Sequence, residues 1–215
     1  MNDKALHTLE YDKVIRRLTS CCETSLGKER AGQLRPTRDL REAVRLLQET
    51  DEAVRVAALK GSAPFGGVTD VRPQLSRAKL GGMLQPSELL DIAGLIAGIR
   101  KMKRYVASAA EEASIPLLED LCEPLTDCKP LEEEIRRCID DQGDVLDAAS
   151  AELASVRREI RVGEGRAREK LESMIRSSSV QKMLQEALIT IRGDRYVIPV
   201  KQEYRSHFGG IVHDQ

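Results

Sequence analysis

Residues 144–177 read DVLDAASAELASVRREIRVGEGRAREKLESMIRS, and this stretch decides the fold. Leu146, Ala149, Leu153, Val156 and Ile160 recur in steps of three and four, the spacing of a coiled-coil seam on one face of a helix. The rhythm continues less regularly through Ala167, Leu171 and Met174. Helical from 144 to 177, the element would be on the order of 50 Å long. Its seam needs a partner helix, and no other segment obviously supplies one. Gly163 and Gly165 interrupt the pattern, each weakening the helix by roughly 1 kcal/mol relative to Ala, which leaves room for a bend or hinge.

Downstream the period changes from helix to strand. Residues 189–192 (ITIR) and 195–200 (RYVIPV) flank Gly193-Asp194, the pattern of a β-hairpin with a tight turn. Pro199 places its strand at an edge or bulge. Ile211-Val212 reads as a further short strand with almost nothing after it, so the sequence looks cut within a sheet. Upstream, residues 2–60 read as successive helices. One has Val14, Ile15 and Leu18 as its stripe. The next runs over 39–60, with Asp39 or Thr37 as cap and Gly61 as stop. A short helix is expected near 71–79. A long one follows Pro86-Ser87-Glu88, with Ser87 as cap and Leu89, Ile92, Ala93, Ile96, Ile99, Met102 and Val106 on one face. Shorter helices are expected over 117–122 and 131–138.

Composition agrees. Of 215 residues, 41% are apolar, 32% charged and only 3% aromatic, with no Trp, which favours helices over an all-β sandwich. A net charge of −1 excludes a generally basic nucleic-acid binder but not a local basic strip. Five cysteines without a C-x-x-C pair, and three histidines, argue against zinc. The odd cysteine count and the charged start MNDKALHTLEYDKV point to a reducing cytoplasm, with thiols serving as small buried hydrophobes. No window approaches the roughly 18 apolar residues of a membrane span.

No G-x-x-x-x-G-K-[ST], G-x-S-x-G or H-E-x-x-H occurs, so no catalytic centre is expected. The loop GSAPFGGVTD (61–70) lacks the Lys-Ser/Thr of a phosphate loop, and Phe65 is expected to dock into a neighbouring core. Asp140-Asp141 before Gly143 reads as a helix-ending turn. Arg100, Lys101, Lys103 and Arg104 read as a solvated helix face. The functional signal is instead basic. Between 156 and 182, eight cations (Arg157, Arg158, Arg161, Arg166, Arg168, Lys170, Arg176, Lys182) face four glutamates (Glu159, Glu164, Glu169, Glu172). The hairpin region adds Arg192, Arg195, Lys201 and Arg205. A cationic end on a long arm suits phosphate-backbone contact, so Arg176, Lys182, Arg192, Arg195, Lys201 and Arg205 are the candidate nucleic-acid-binding residues. Ordinary i,i+4 pairing along a solvated helix is the alternative.

Several stretches resemble the MutS-two branch of the bacterial MutS family: LEYDKV (9–14), SLGKERA (25–31), APFGGVTDVR (63–72), IDDQGDVLD (139–147), the run from REKLESMIRSS to RYVIPVKQEYR (168–205), and GGIVHDQ (209–215). The resemblance implies a mainly α fold: a helical core and lever domain over 1–143, a long lever helix over 144–177, and the start of a small β clamp over 178–215. It implies that the full protein is a homodimeric ATPase using ATP and magnesium, with a Smr-type endonuclease domain, both outside these residues. The ligands it implies are branched recombination DNA or ribosomal RNA of stalled, collided ribosomes, with no membrane. A purely structural coiled-coil and dimerisation scaffold is the competing expectation.

Overall fold

The computed structural model describes residues 3–193 and 195–212. It divides into two compact units, Met1–Ala149 and Ser150–Gln215. The first holds α1 (Asp3–Thr8), α2 (Tyr11–Ser20), α3 (Ser25–Gly32), α4 (Leu40–Lys60), α5 (Arg72–Lys79), α6 (Pro86–Ala110), α7 (Pro116–Cys122) and α8 (Lys129–Cys138). The second holds α9 (Ala151–Arg176), α10 (Ser178–Gln181), β1 (Thr190–Arg192), β2 (Arg195–Val197) and α11 (Arg205–Phe208). The chain is therefore mainly α with a small two-stranded antiparallel sheet.

Helix α6 is the spine of the first unit. Its N-terminal half buries Ile92, Ala93 and Ile96 against Val71 and against Ile135 and Ile139 of the α8 region. Its C-terminal half buries Val106 and Ala109 against Val56 of α4 and Ile115. These are the residues the apolar period places on one face. The start of α6 differs from expectation: Gln85, not Ser87, is the cap. Pro86 has a fixed φ suited to the first helical position, and the Gln85 N–H donates to Glu88 Oε2 at 2.8 Å in a capping box. At α4 the Asp39 side chain accepts from the Arg41 N–H at 2.8 Å, and Gly61 ends the helix at φ 78.

Two buried glutamates lock the helices to one another. Glu52 of α4 is 5% exposed and accepts from the Leu118 N–H at 3.0 Å, capping α7 from another helix. Glu132 of α8 pairs with Arg100 and, at 3.2 Å, with Arg136. Burial pushes its carboxyl up, but the hydrogen bonds and charges of the two arginines outweigh that and hold it below the usual range. Lys103 also turns inward, donating to the Leu125 carbonyl at 2.7 Å. Half of the expected solvated basic face is therefore structural, while Lys101 and Arg104 are exposed.

The Gly-rich loop docks by its backbone rather than by its ring. Phe65 is 41% exposed, contrary to the expectation that it fills a core. Gly67 instead sits at φ 85, where an added Cβ would lie 2.9 Å from the Gly94 carbonyl oxygen of α6. On Gly98 an added Cβ would lie 3.0 Å from Val68 Cγ2. Small residues on both sides allow loop and helix backbones to approach closely. The apolar stripe of α2 is not buried: Val14 is 59% and Leu18 41% exposed. Nor are the cysteines buried hydrophobes. Cys21 and Cys128 are exposed, and the other three are half-buried.

The long helix starts later than its sequence suggests, at Ala151, with Ser150 Oγ accepting from the Leu153 N–H at 3.0 Å. The preceding residues have other partners. Asp140 Oδ1 accepts from the N–H groups of Gln142 and Asp144, Gly143 turns at φ 90, and Ile139 bridges Val145. This is the turn expected at Asp140-Asp141, and it takes Leu146 and Ala149 out of the seam. From Ala151 the helix runs unbroken through Gly163 and Gly165 for 26 residues, about 39 Å. None of its residues is buried, and Val156 and Ile160 are 47% and 54% exposed.

Candidate nucleic-acid interface

The hairpin forms in the expected register. Thr190 pairs with Val197, Ile191 with Tyr196 and Arg192 with Arg195. Gly193 supplies a positive φ of 52 at the turn; Asp194 lies outside the described residues. Pro199 follows the strand where no N–H is needed. Its carbonyl accepts from the Gln185 N–H at 2.9 Å, while the Lys201 N–H reaches the Met183 carbonyl at 2.9 Å. Leu184, 3% exposed, bridges Val200 there. The expected strand at Ile211-Val212 is absent. Helix α11 is followed by Gly209 in the left-handed region, and Ile211 and Val212 have no regular secondary structure, with Ile211 81% exposed.

Alternation along β1 and β2 separates two faces. Ile191 and Tyr196 line a groove of about 590 Å³ together with Ile175, Leu188 and Ile189, and with Arg168, Glu172 and Arg176 of α9. Arg192 and Arg195 share the opposite face. Both are exposed, and among the described residues neither forms an ion pair.

The other candidates differ in how free they are. Arg176 closes α9 and lies 3.6 Å from Glu172, which also takes Arg168 at 3.0 Å. Lys201 folds back, its Nζ donating to the Lys182 carbonyl at 2.9 Å. The Lys182 side chain and Arg205, at the start of α11, are exposed. All six lie in the second unit, and Arg192 and Arg195 are a cross-strand pair without an ion-pair partner among the described residues. Arg168 was missed as part of the groove, although its i,i+4 spacing from Glu172 was the available signal. Charge follows the same division: residues 150–215 carry twelve Lys and Arg against nine Asp and Glu, whereas residues 1–149 carry 22 against 26.

Comparison with known proteins identifies the lineage. Over its whole length the chain is 50% identical to the Endonuclease MutS2 of Brevibacillus brevis and 52% identical to that of Geobacillus kaustophilus. The Endonuclease MutS2 of Bacillus cytotoxicus is 50% identical, again over 100% of this chain. The chain matches part of a MutS2-type protein. It spans 27–28% of the length of these MutS2 relatives. No protein-family model matches it.

The ATP and magnesium implied by MutS2 resemblance do not fit the residues present. The one Gly-rich loop has no P-loop Lys, and Gly67 abuts the Gly94 carbonyl, an acceptor that repels phosphate. Among the described residues no group of three His, Cys, Asp or Glu side chains gathers to hold a metal ion, and no helix is long and apolar enough to cross a membrane.

Proposed function

We propose that this MutS2 chain is a non-catalytic, nucleic-acid-embracing arm of a larger cytoplasmic MutS-type protein. In this reading the first unit is core and lever, α9 is the lever helix, and the hairpin begins the clamp. The full protein is a homodimeric ATPase and Smr-type endonuclease using ATP and magnesium. It closes two such arms around branched recombination DNA or around ribosomal RNA of stalled, collided ribosomes. The observation carrying the reading is the exposed arginine pair on one face of the hairpin, which forms no ion pair among the described residues, in the one unit with a positive charge excess. Backbone phosphates are what such a face recognises without reading sequence. The endonuclease name borne by the relatives supports a nucleic-acid ligand for the full protein.

The test measures binding of the full-length protein to a four-way DNA junction and to ribosomes across a NaCl series. The comparison is with a variant carrying Gln at Arg176, Lys182, Arg192, Arg195, Lys201 and Arg205. Weaker binding is expected, with a salt slope flattened by about one unit per lost phosphate contact. Unchanged affinity and slope in the folded variant would favour a coiled-coil scaffold that touches no nucleic acid. The tighter of the two wild-type ligands decides between DNA and ribosome.

A further inference from the structure

Resting on that reading, we propose that Arg192 and Arg195 form a single clip for one backbone phosphodiester, and that this clip is the arm's principal phosphate contact. The two residues are direct cross-strand partners, so their Cβ atoms stand about 4.5–5.5 Å apart on one face of the hairpin. Guanidinium forks rooted that closely can grip the oxygens of one phosphate from two sides.

Like charges directly opposed across a hairpin destabilise it. Each strand here has three residues, so little else offsets the repulsion. No described carboxylate relieves it, and an anion held between the guanidinium groups does. The opposite face orients the clip. Ile191 and Tyr196 line the groove with Ile175 and Leu188, which turns the arginines away from α9. The remaining candidates are less available. Arg176 shares Glu172 with Arg168, and Lys201 is tied to the Lys182 carbonyl.

The experiment is a double-mutant cycle in the full-length protein with R192Q, R195Q and R192Q/R195Q, binding a four-way DNA junction. Circular dichroism checks that each variant folds. A shared phosphate predicts that each single change weakens binding about tenfold. The double change adds little, because the bridge is lost either way, and it reduces the salt slope by about one unit for each arm of the complex. Losses that multiply, with a slope reduced by about two for each arm, mean two separate phosphates and overturn the clip while sparing the nucleic-acid reading. So does full affinity in the double variant when changing Lys182 and Arg205 abolishes binding. Unchanged binding in both sets overturns clip and reading together. A stability readout needs no nucleic acid: each single variant should slow amide hydrogen exchange in β1 and β2, because it removes the repulsion. Faster exchange in the singles would mean that the arginines support the hairpin rather than strain it, and would overturn the proposal.

Discussion

Replacing Gly67 by Ala tests how the first unit is held together. Two costs add at this position. A φ of 85 disfavours any L side chain by roughly 1–2 kcal/mol. The new Cβ would also lie 2.9 Å from the Gly94 carbonyl oxygen, a backbone atom that cannot rotate away, so loop and α6 must separate at roughly 1–3 kcal/mol. Together the loss is roughly 2–5 kcal/mol, a fall in Tm on the order of 10 °C for a chain of this size. Gly66 is the internal control. It has no atom within 4 Å of an added Cβ and no positive φ, so Gly66→Ala should be neutral or stabilise by up to about 1 kcal/mol through the unfolded chain. Thermal unfolding of both variants, followed by far-ultraviolet circular dichroism, reads the difference. Equal Tm values would refute the claim that backbone docking, rather than the half-exposed Phe65, fixes the loop.

Three further outcomes are expected. Glu52→Ala leaves the Leu118 N–H without its acceptor and should cost roughly 1–3 kcal/mol, with Glu52→Gln costing less because an oxygen remains; urea unfolding compares them. Gly163→Ala and Gly165→Ala place methyl groups where nothing lies within 4 Å, so each should stabilise α9 by roughly 1 kcal/mol; lower helicity by circular dichroism would contradict the unbroken helix. Arg72, through its side chain and its own N–H, holds the Asp70 carboxyl at about 2 against an ordinary 3.8. Because the folded value is depressed, that stabilisation is complete above about pH 4 and lost as pH falls toward 2. Urea midpoints should drop over that window in the wild type and drop less in Arg72→Gln.

The parts of the fold legible in the sequence were those in which one local signal met one tertiary demand. The α6 stripe of Ile92, Ala93, Ile96 and Val106 is buried because its period places all four on one side, and the hairpin register follows from a Gly-containing turn between apolar strands. Misreadings arose where two local signals competed. Ser87 is a good cap in isolation, but Pro86 one residue earlier is better used as a first helical residue, so the cap moved to Gln85. Leu146 and Ala149 fit the seam by spacing. The Asp140 side chain, however, satisfies two backbone donors in a turn there, a contact that no periodicity reveals. Among the candidate cations, sequence could gather all six near one end. Which were already engaged depended on contacts such as Lys201 with the Lys182 carbonyl.

The two units solve different physical problems, and this explains why a net charge of −1 is compatible with backbone binding. In the first unit cations serve the fold: Arg100, Arg72 and Arg137 each meet carboxylates, and the core spreads over two clusters along α6. In the second, Leu184 is the one buried side chain among the described residues, a contribution of only about 1.5–3 kcal/mol. Its cross-strand arginine pair works against even that small core. A ligand that bridges the pair binds the formed hairpin and not the unfolded one, so it stabilises the hairpin by mass action. Nucleic-acid binding and hairpin order are then one equilibrium. On the proposed reading, an arm built this way grips firmly only where a phosphate is present.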